Sequence, residues 1–311
     1  MTDEQRQELA RLCRSVQWQA AMAPYSTFRT GGSVEALVEV SGAQELARLV
    51  GWLHSQRIPW QVIGGGSNIL VTSRPHEDVF IRLRAPANRI STVAVENDRE
   101  DDGKHLVWVD AGCSLGALVS WCARRGLSGL EFMAGIPGSV GGAIRMNAGA
   151  FGHAIGEVLS TVDFVTDQGE LVSVDQEAIC FDYRKTSFPG EPKRRVVIAE
   201  AVLCLHQDDR EAVVARCREI VAQRRRKQPP GLGSAGSFFK NPEGDFAGRL
   251  IEQAGLKGLS QGKAMVSRKH ANFIVNTGGA VPEDILALME QVRQKVWLDS
   301  GVMLEPEVRI F

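Results

Sequence analysis

Between Val34 and Val40 the apolar residues Val34, Ala36, Val38 and Val40 alternate with Glu35, Leu37 and Glu39, a period of two that predicts a strand. The period then changes. Ser41 and Gln44 form a capping-box start, and Leu46, Leu49, Val50 and Leu53 follow at helical spacing to about Gln56, before Pro59. Residues 3–18 read as a surface helix. Apolar runs at 79–84 (VFIRLR), 89–95 (RISTVAV) and 105–112 (HLVWVDAG) predict strands, with Glu96–Lys104 as an exposed acidic hairpin tip. Ser114 is expected to cap a short helix with Leu115, Leu118, Val119 and Cys122 on one face. Further strands are expected near 158–165, 171–174 and 195–205, bracketing a loop at Phe181–Ser187.

From Asp208 to Lys227 the pattern is helical again, with Val213, Val214, Cys217, Ile220 and Val221 on the apolar face. The run Arg224-Arg225-Arg226-Lys227 suits a last turn, where cations complement the helix dipole, and Pro229-Pro230 stops the helix. Residues 231–242 pass from loop to strand with Phe238 and Phe239 as packing anchors. A short helix over 245–258 is closed by Gly255 or Gly258. Strand-like AMVS and NFIVN lead to a helix opened by Pro282, with Ile285, Leu288, Met289, Val292 and Val296 inward, and ended by Gly301. The closing segment VMLEPEVRIF reads as a strand. Short strands mixed with isolated helices predict an α+β fold, with an N-terminal helical extension (1–24), a larger domain (25–205) and a C-terminal domain (206–311).

Composition narrows the function. The 311 residues carry 36 basic and 37 acidic side chains, a net charge of −1, so no global field favours nucleic acid or an anionic membrane. The polar start MTDEQRQELARLCR has no apolar signal core, and no run approaches the length of a membrane span. Six cysteines lie far apart without a CxxC pair, which fits a reducing cytoplasm, and the six histidines are scattered without HExxH, so no metal site is expected.

Glycine supplies the first chemistry. The stretch Glu131–Phe151 holds Gly135, Gly138, Gly141, Gly142 and Gly149, with Gly152 just beyond. Clustered glycine costs backbone entropy on ordering, so the missing side chains answer a need. Tight turns in a β-rich core and a backbone cradle for a pyrophosphate are both open readings. The second cluster, Gly64-Gly65-Gly66-Ser67-Asn68, lacks both GxGxxG spacing and a Walker lysine, so it is neither a Rossmann fingerprint nor a P-loop. Arg184 in the Tyr183-Arg184 pair offers a cation that could fork onto a carboxylate or phosphate. Ser237, Lys240 and Asn241 place a hydroxyl, an ammonium and an amide within five residues. If the segment is extended, Ser237, Phe239 and Asn241 share one face, and Phe238 and Lys240 the other. The same parity puts Met303, Glu305, Glu307 and Arg309 on one side of the last segment, so either glutamate could serve a site.

Together, RTGG (29–32), GGGSNILV (64–71), GLSGLEFMAGIPGSVGGAIRMNAGAFG (126–152), YRKTSF (183–188), AGSFFKNP (235–242), AGRLIEQAGLKG (247–258), HANFIVN (270–276) and LEPEVRIF (304–311) closely resemble the UDP-N-acetylenolpyruvoylglucosamine reductase family. The likeness runs in order from about Tyr25 to the C-terminus. It implies an FAD-binding domain of the vanillyl-alcohol-oxidase (PCMH) type with two subdomains, followed by a substrate-binding domain. It also implies NADPH-dependent reduction of an enolpyruvyl UDP-sugar to UDP-N-acetylmuramate in peptidoglycan precursor synthesis, in the cytoplasm, by a monomer that needs no nucleic acid or membrane partner.

Carried over residue by residue, the proton donor to the substrate C2 falls on Ser237, after hydride delivery from flavin N5 to C3. The arginine beside the enolpyruvyl carboxylate falls on Arg184, and the catalytic glutamate on Glu307, with Glu305 as alternative. Tyr183, Lys240 and Asn241 match substrate-contacting positions. FAD contacts fall on Arg29, Thr30, Gly31, Gly64, Gly65, Gly66, Ser67, Asn68, Gly135, Pro137, Gly138, Ser139, Gly141, Gly142, Asn147, Ala148 and Gly149. The short passage from Phe188 to the strand at 196 leaves no room for the tyrosine-bearing insertion of one family branch, so the chain resembles the shorter, second type; His270 receives no role. The alternatives are another FAD oxidoreductase of the same fold and a non-enzymatic nucleotide-binding module, which would leave Arg184, Ser237 and Glu307 without a common purpose.

Overall fold

The strand expected at 34–40 forms over Ser33–Val40, but both of its faces are covered. Glu35 is itself buried, and Arg6 donates to its carboxylate from Nε at 3.0 Å and Nη2 at 2.9 Å. Glu39 takes Arg82 and Arg84 in the same way. Alternation in this strand therefore marks a paired carboxylate, not a solvent face. A computed structural model of the chain describes residues 1–85, 89–93 and 103–311; the expected hairpin tip between Glu96 and Lys104 lies largely outside the described residues.

The chain divides into two units. The first comprises Met1–Trp18, Glu35–Gly65 and Glu77–Ala222, and the second Gln19–Val34, Gly66–His76 and Gln223–Phe311. The reading of 3–18 as one helix is corrected: the helix covers Asp3–Leu12 and a strand follows at Ser15–Ala21. Cys13 is already extended, and Val16, Trp18 and Ala20 alternate with polar Gln17 and Gln19, a signal the helical reading passed over. That strand opens a four-stranded sheet in the order Ser15–Ala21, Ser33–Val40, His76–Leu83, Trp60–Ile63, whose last pair runs parallel. The helix Ala43–Ser55 buries Ala43, Leu46, Leu49, Val50 and Leu53. Its N-cap is Gly42, not the expected Ser41 box, and the Ser41 N–H instead donates to the Glu45 carboxylate at 2.8 Å.

The second sheet of this unit is antiparallel and built on the twelve-residue strand Val196–Gln207. It pairs with Leu159–Thr166 on one side and Lys104–Asp110 on the other, and Leu127–Ser128 adds to its end. Leu171–Asp175 and Ile90–Val93 are the outer strands. Ser114 caps the helix Leu115–Ala123, its Oγ accepting the Ala117 N–H at 3.1 Å, as expected. Burial of side chains such as Leu118, Val162, Phe164 and Leu203 contributes about 1.5–3 kcal/mol each.

The second unit packs the helix Pro282–Ser300 and the short helix Ala247–Gln253 with a three-stranded sheet, Ser260–Gln261, Ala264–Val266 and Ile274–Asn276. Gly301 ends the long helix in the left-handed conformation, φ 72°, where a side chain would be strained. Phe238 and Phe239 are fully buried, as expected of anchors, with Phe28 beside them at 6.1 Å from the Phe238 ring. The closing segment is a strand only at Arg309–Ile310, which runs parallel to Ile69–Leu70; Pro306 and Phe239 form an isolated bridge before it. No helix among the described residues is long and apolar enough to cross a membrane.

Candidate active site

In the first unit the two glycine clusters meet backbone to backbone. A Cβ on Gly65 would lie 2.7 Å from Gly138 Cα, and one on Gly64 would lie 2.3 Å from Ser139 Oγ, so neither position has room for a side chain. Several amides of the Glu131–Phe151 stretch are already engaged. Val140 N–H donates to Cys113 O, Gly141 N–H to Ala111 O (both 2.9 Å) and Gly142 N–H to Ser139 Oγ at 3.3 Å. These glycines serve close approach as much as they serve donation. Gly135 and Pro137 lead into this contact, and Ala148 N–H closes the short helix Val140–Arg145 on Ala143 O at 2.8 Å.

The expected loop at Phe181–Ser187 is instead a hairpin, Cys180–Asp182 against Lys185–Ser187, with Tyr183 and Arg184 as its two-residue turn. Arg184 sits at φ 57° while Tyr183 does not have a positive φ, so the turn is not one of the primed types that Asn-Gly or Gly-X would make. Its Nη1 donates to Gly149 O at 3.2 Å, and Asn147 Nδ2 donates to Asp182 O at 3.2 Å. The Tyr183-Arg184 turn and the Asn147–Gly149 segment are thus one connected piece. Two residues that sequence reasoning missed clamp it. Thr186, 3% exposed, donates its hydroxyl to Ile144 O at 2.5 Å, and Arg145 forks onto Glu191 at 2.6 and 2.9 Å. Only Arg145, a lone cation between Ile144 and Met146, stood out in the sequence; Thr186 and Glu191 carried no local signal.

Glu131, at the head of the glycine stretch, is also structural. Burial raises its carboxyl pKa, but hydrogen bonds from the Gly129 N–H, Arg216 and Ser128 outweigh that and hold it below the usual range. Arg216 comes from the helix Arg210–Lys227, expected as an apolar-faced helix, of which only Val213 is fully buried.

In the second unit, Gly66 turns at φ 68°, where its Cβ would fall 1.9 Å from Tyr25 O, and its carbonyl accepts the Thr27 N–H at 3.0 Å. This brings the segment holding Arg29, Thr30 and Gly31 against the loop holding Ser67 and Asn68. Asn68 Nδ2 donates to Glu307 O at 3.1 Å. The Glu307 N–H donates to Phe238 O and the Lys240 N–H to Glu305 O, at 2.8 and 2.9 Å, so the Ser237 segment and the Glu305–Glu307 segment are edge to edge. Lys240 Nζ pairs with Glu305 at 2.5 Å, and Asn241 Oδ1 accepts the Ala247 N–H at 3.1 Å. The parity read from the sequence holds through Val308: Leu304 and Val308 are buried and Glu305 is exposed.

Known proteins supply the identity. The FAD binding domain profile matches residues 34–175, and the profile of the UDP-N-acetylenolpyruvoylglucosamine reductase C-terminal domain matches residues 228–311. The chain is 42% identical over 303 residues to UDP-N-acetylenolpyruvoylglucosamine reductase of Desulfosudis oleivorans, covering 95% of this chain and 94% of that one. It is 43% identical over 296 residues to the same enzyme of Alkalilimnicola ehrlichii, covering 93% and 92%. The crystal structure of the reductase from Thermus caldophilus superposes with a TM-score of 0.79 at 35% identity, over 96% of this chain and 99% of that one. The α+β class with an FAD-binding domain and a distinct C-terminal domain stands, and the chain belongs to the UDP-N-acetylenolpyruvoylglucosamine reductase family.

Proposed function

We propose that the protein reduces the enolpyruvyl ether of a UDP-N-acetylglucosamine to the lactyl ether, UDP-N-acetylmuramate, with FAD as the bound cofactor and NADPH as the reductant. The observation that carries this reading is the 3.2 Å hydrogen bond from Arg184 to Gly149 O, which ties a guanidinium to the glycine-rich stretch. What supports a bound cofactor here is the glycine content itself: Gly65 lies against the Gly138 backbone with no room for a Cβ, and Gly64 faces the Ser139 hydroxyl, so these loops present main chain where larger residues would present side chains. When bound, FAD supplies hydride transfer.

The protein's own groups do the rest. Hydride addition to an enol ether next to a carboxylate builds negative charge on that carboxylate. A fixed guanidinium at Arg184 meets that charge as it develops and so lowers the barrier. Ser237 delivers the proton to the adjacent carbon. A serine hydroxyl is a weak acid, so its proton is replaced through a relay, and Glu307, in the segment paired edge to edge with that of Ser237, fills that role. Tyr183, Lys240 and Asn241 orient the sugar nucleotide. The FAD contacts are those carried over above, and the enzyme acts as a monomer in the cytoplasm.

The test is anaerobic. NADPH should bleach the yellow protein, and the enolpyruvyl sugar nucleotide should restore the colour. Ser237→Ala should leave bleaching intact and slow the return roughly 10²–10⁴-fold. A protein that stays colourless after FAD supplementation, or that is not reoxidised by the sugar nucleotide, sinks the reading.

A further inference from the structure

The motif HANFIVN takes no part in the chemistry above, although both of its asparagines, Asn272 and Asn276, are among the few polar side chains sealed in the second unit's interior among the described residues; Asn272 is 3% exposed. Its Oδ1 accepts the Phe239 N–H at 2.9 Å, and its Nδ2 donates to the Phe239 carbonyl at 2.8 Å. One side chain thus satisfies both hydrogen-bonding groups of one residue, as a neighbouring strand would. Its own carbonyl accepts the Phe238 N–H at 2.8 Å. On the opposite edge the same segment is held by Glu305 O and by the Glu307 N–H. The Phe238–Lys240 segment thus has main-chain partners in the closing segment on one side and an amide side chain standing in for a partner on the other, around the isolated bridge at Phe239.

The next layer fixes the amide. The Asn272 N–H donates to His270 Nδ1 at 3.2 Å, which requires that nitrogen to be unprotonated. His270 packs against Phe273 with ring centroids 4.9 Å apart and the rings tilted by 60°. The helix Ala247–Gln253 approaches through Gly248, where a Cβ would sit 3.5 Å from His270 Cε1 and 3.7 Å from Asn272 Cβ. Asn272 cannot turn away without leaving the buried Phe239 amide and carbonyl unpaired.

We infer that Asn272 is a positioning residue for the reaction: by mimicking a strand at Phe239, it sets the pitch of the segment that presents Ser237 and Lys240. This rests on the function proposed above. Asn is required there, since the site needs a donor and an acceptor at fixed spacing on one side chain. Aspartate supplies the acceptor but, when ionised, no donor for the Phe239 carbonyl; when protonated, its O–H restores one.

The experiment compares wild type, Asn272→Ala and Asn272→Asp in the two anaerobic half-reactions. The expected result is flavin reduction by NADPH within about twofold of wild type in both variants, and reoxidation by the enolpyruvyl sugar nucleotide slowed about 10–100-fold. Because His270, which accepts the residue-272 N–H, titrates in every variant, the readout is the ratio of reoxidation in Asn272→Asp to that in Asn272→Ala at the same pH, which should rise as pH falls and the aspartate protonates. A loss of packing alone would lower both half-reactions together and show no such rise, and either of those results overturns the inference. Amide exchange gives a readout independent of turnover. Segment 237–241 should exchange at least about tenfold faster in Asn272→Ala, while the helix Pro282–Ser300 is unchanged. Unchanged exchange at 237–241 also overturns the inference, whatever the wild-type enzyme does with the sugar nucleotide.

Discussion

Asn68 Nδ2 donates to the Glu307 carbonyl at 3.1 Å, and the Arg309 N–H returns to the Asn68 carbonyl at 3.0 Å, a reciprocal pair in which Asn68 and Glu307 lie 239 residues apart in sequence. The side chain that resemblance places on the cofactor also holds the backbone of the residue assigned as catalytic glutamate. Asn68→Ala should lower stability by about 1–2 kcal/mol, since a part-buried carbonyl loses its donor. It should also slow flavin reoxidation more than flavin reduction. Urea unfolding and rapid mixing check both; an Asn68→Ala protein with wild-type midpoint and rates contradicts the coupling.

The two glutamates of the closing segment should separate cleanly. Glu305 is exposed and pairs with Lys240, whereas the Glu307 backbone is fixed by both Phe238 and Asn68. Glu307→Gln should slow reoxidation about 100-fold or more, and Glu305→Gln less than about tenfold, seen chiefly as weaker substrate binding through Lys240. The reverse order in stopped-flow traces would move the catalytic role to Glu305.

At Gly65 a methyl group would have to displace the Gly138 backbone, with the Cβ 2.7 Å from its Cα. Gly65→Ala should destabilise by about 1–3 kcal/mol and yield protein with little bound flavin. A Cβ added at Gly116, in the helix Leu115–Ala123, would meet no neighbour within 4 Å, so Gly116→Ala should be neutral to mildly stabilising and fully yellow. Flavin content per folded protein, read by absorbance, distinguishes them.

How far the sequence revealed this site depends on which residues are considered. Ser114 at its helix start, Gly301 at its helix end and the buried Phe238-Phe239 pair were all legible, because capping and apolar anchoring are local. The strand Ser15–Ala21 was legible in the alternation of Val16, Trp18 and Ala20 with Gln17 and Gln19, but the short run was absorbed into the helix before it. The hairpin at 180–187 looked like a loop, since its turn uses Tyr183 and Arg184 where Asn-Gly would announce it. Asn272, Thr186 and Glu191 were invisible as site-builders: their partners lie 33, 42 and 46 residues away, and nothing in a linear pattern ties a polar side chain to a distant partner.

Cysteine reactivity follows burial. Burial pushes the Cys13 and Cys113 thiols up to about 11 and Cys122 up to about 12, while Cys180 is exposed and Cys204 and Cys217 are half-buried. A thiol alkylator at about pH 8 should mark Cys180 first and the three buried thiols only after denaturation. Peptide mapping that found Cys113 among the fast sites would disprove it.

His270 links stability to pH. Burial lowers its pKa below the usual 6.5, with Lys257 and Lys227 adding to the effect and Glu252 opposing it. The folded state therefore favours neutral imidazole. That stabilisation is complete above 6.5 and is lost as pH falls from there through the lower folded value. Between about pH 7.5 and 5.5 the urea midpoint of wild type should fall further than that of His270→Gln. Parallel curves for the two proteins would remove His270 from the explanation.

The parallel pairing of Arg309–Ile310 with Ile69–Leu70 has a consequence for the order of assembly. Closing a loop of that size has an entropic cost of about 5 kcal/mol in its length-dependent part, set against a two-residue strand pair. As the chain is synthesised, the first unit's core can form from residues no later than Ala222, and residues 66–76 can meet Thr27 and Gly32 early, but Asn68, Leu70 and Thr72 gain their partners at Glu307–Phe311 only when that segment is made. The Asn68–Glu307 contact therefore cannot form before residue 307 is made, so the loop that carries Asn68 is fastened in two stages, first to Thr27 and only later to Glu307.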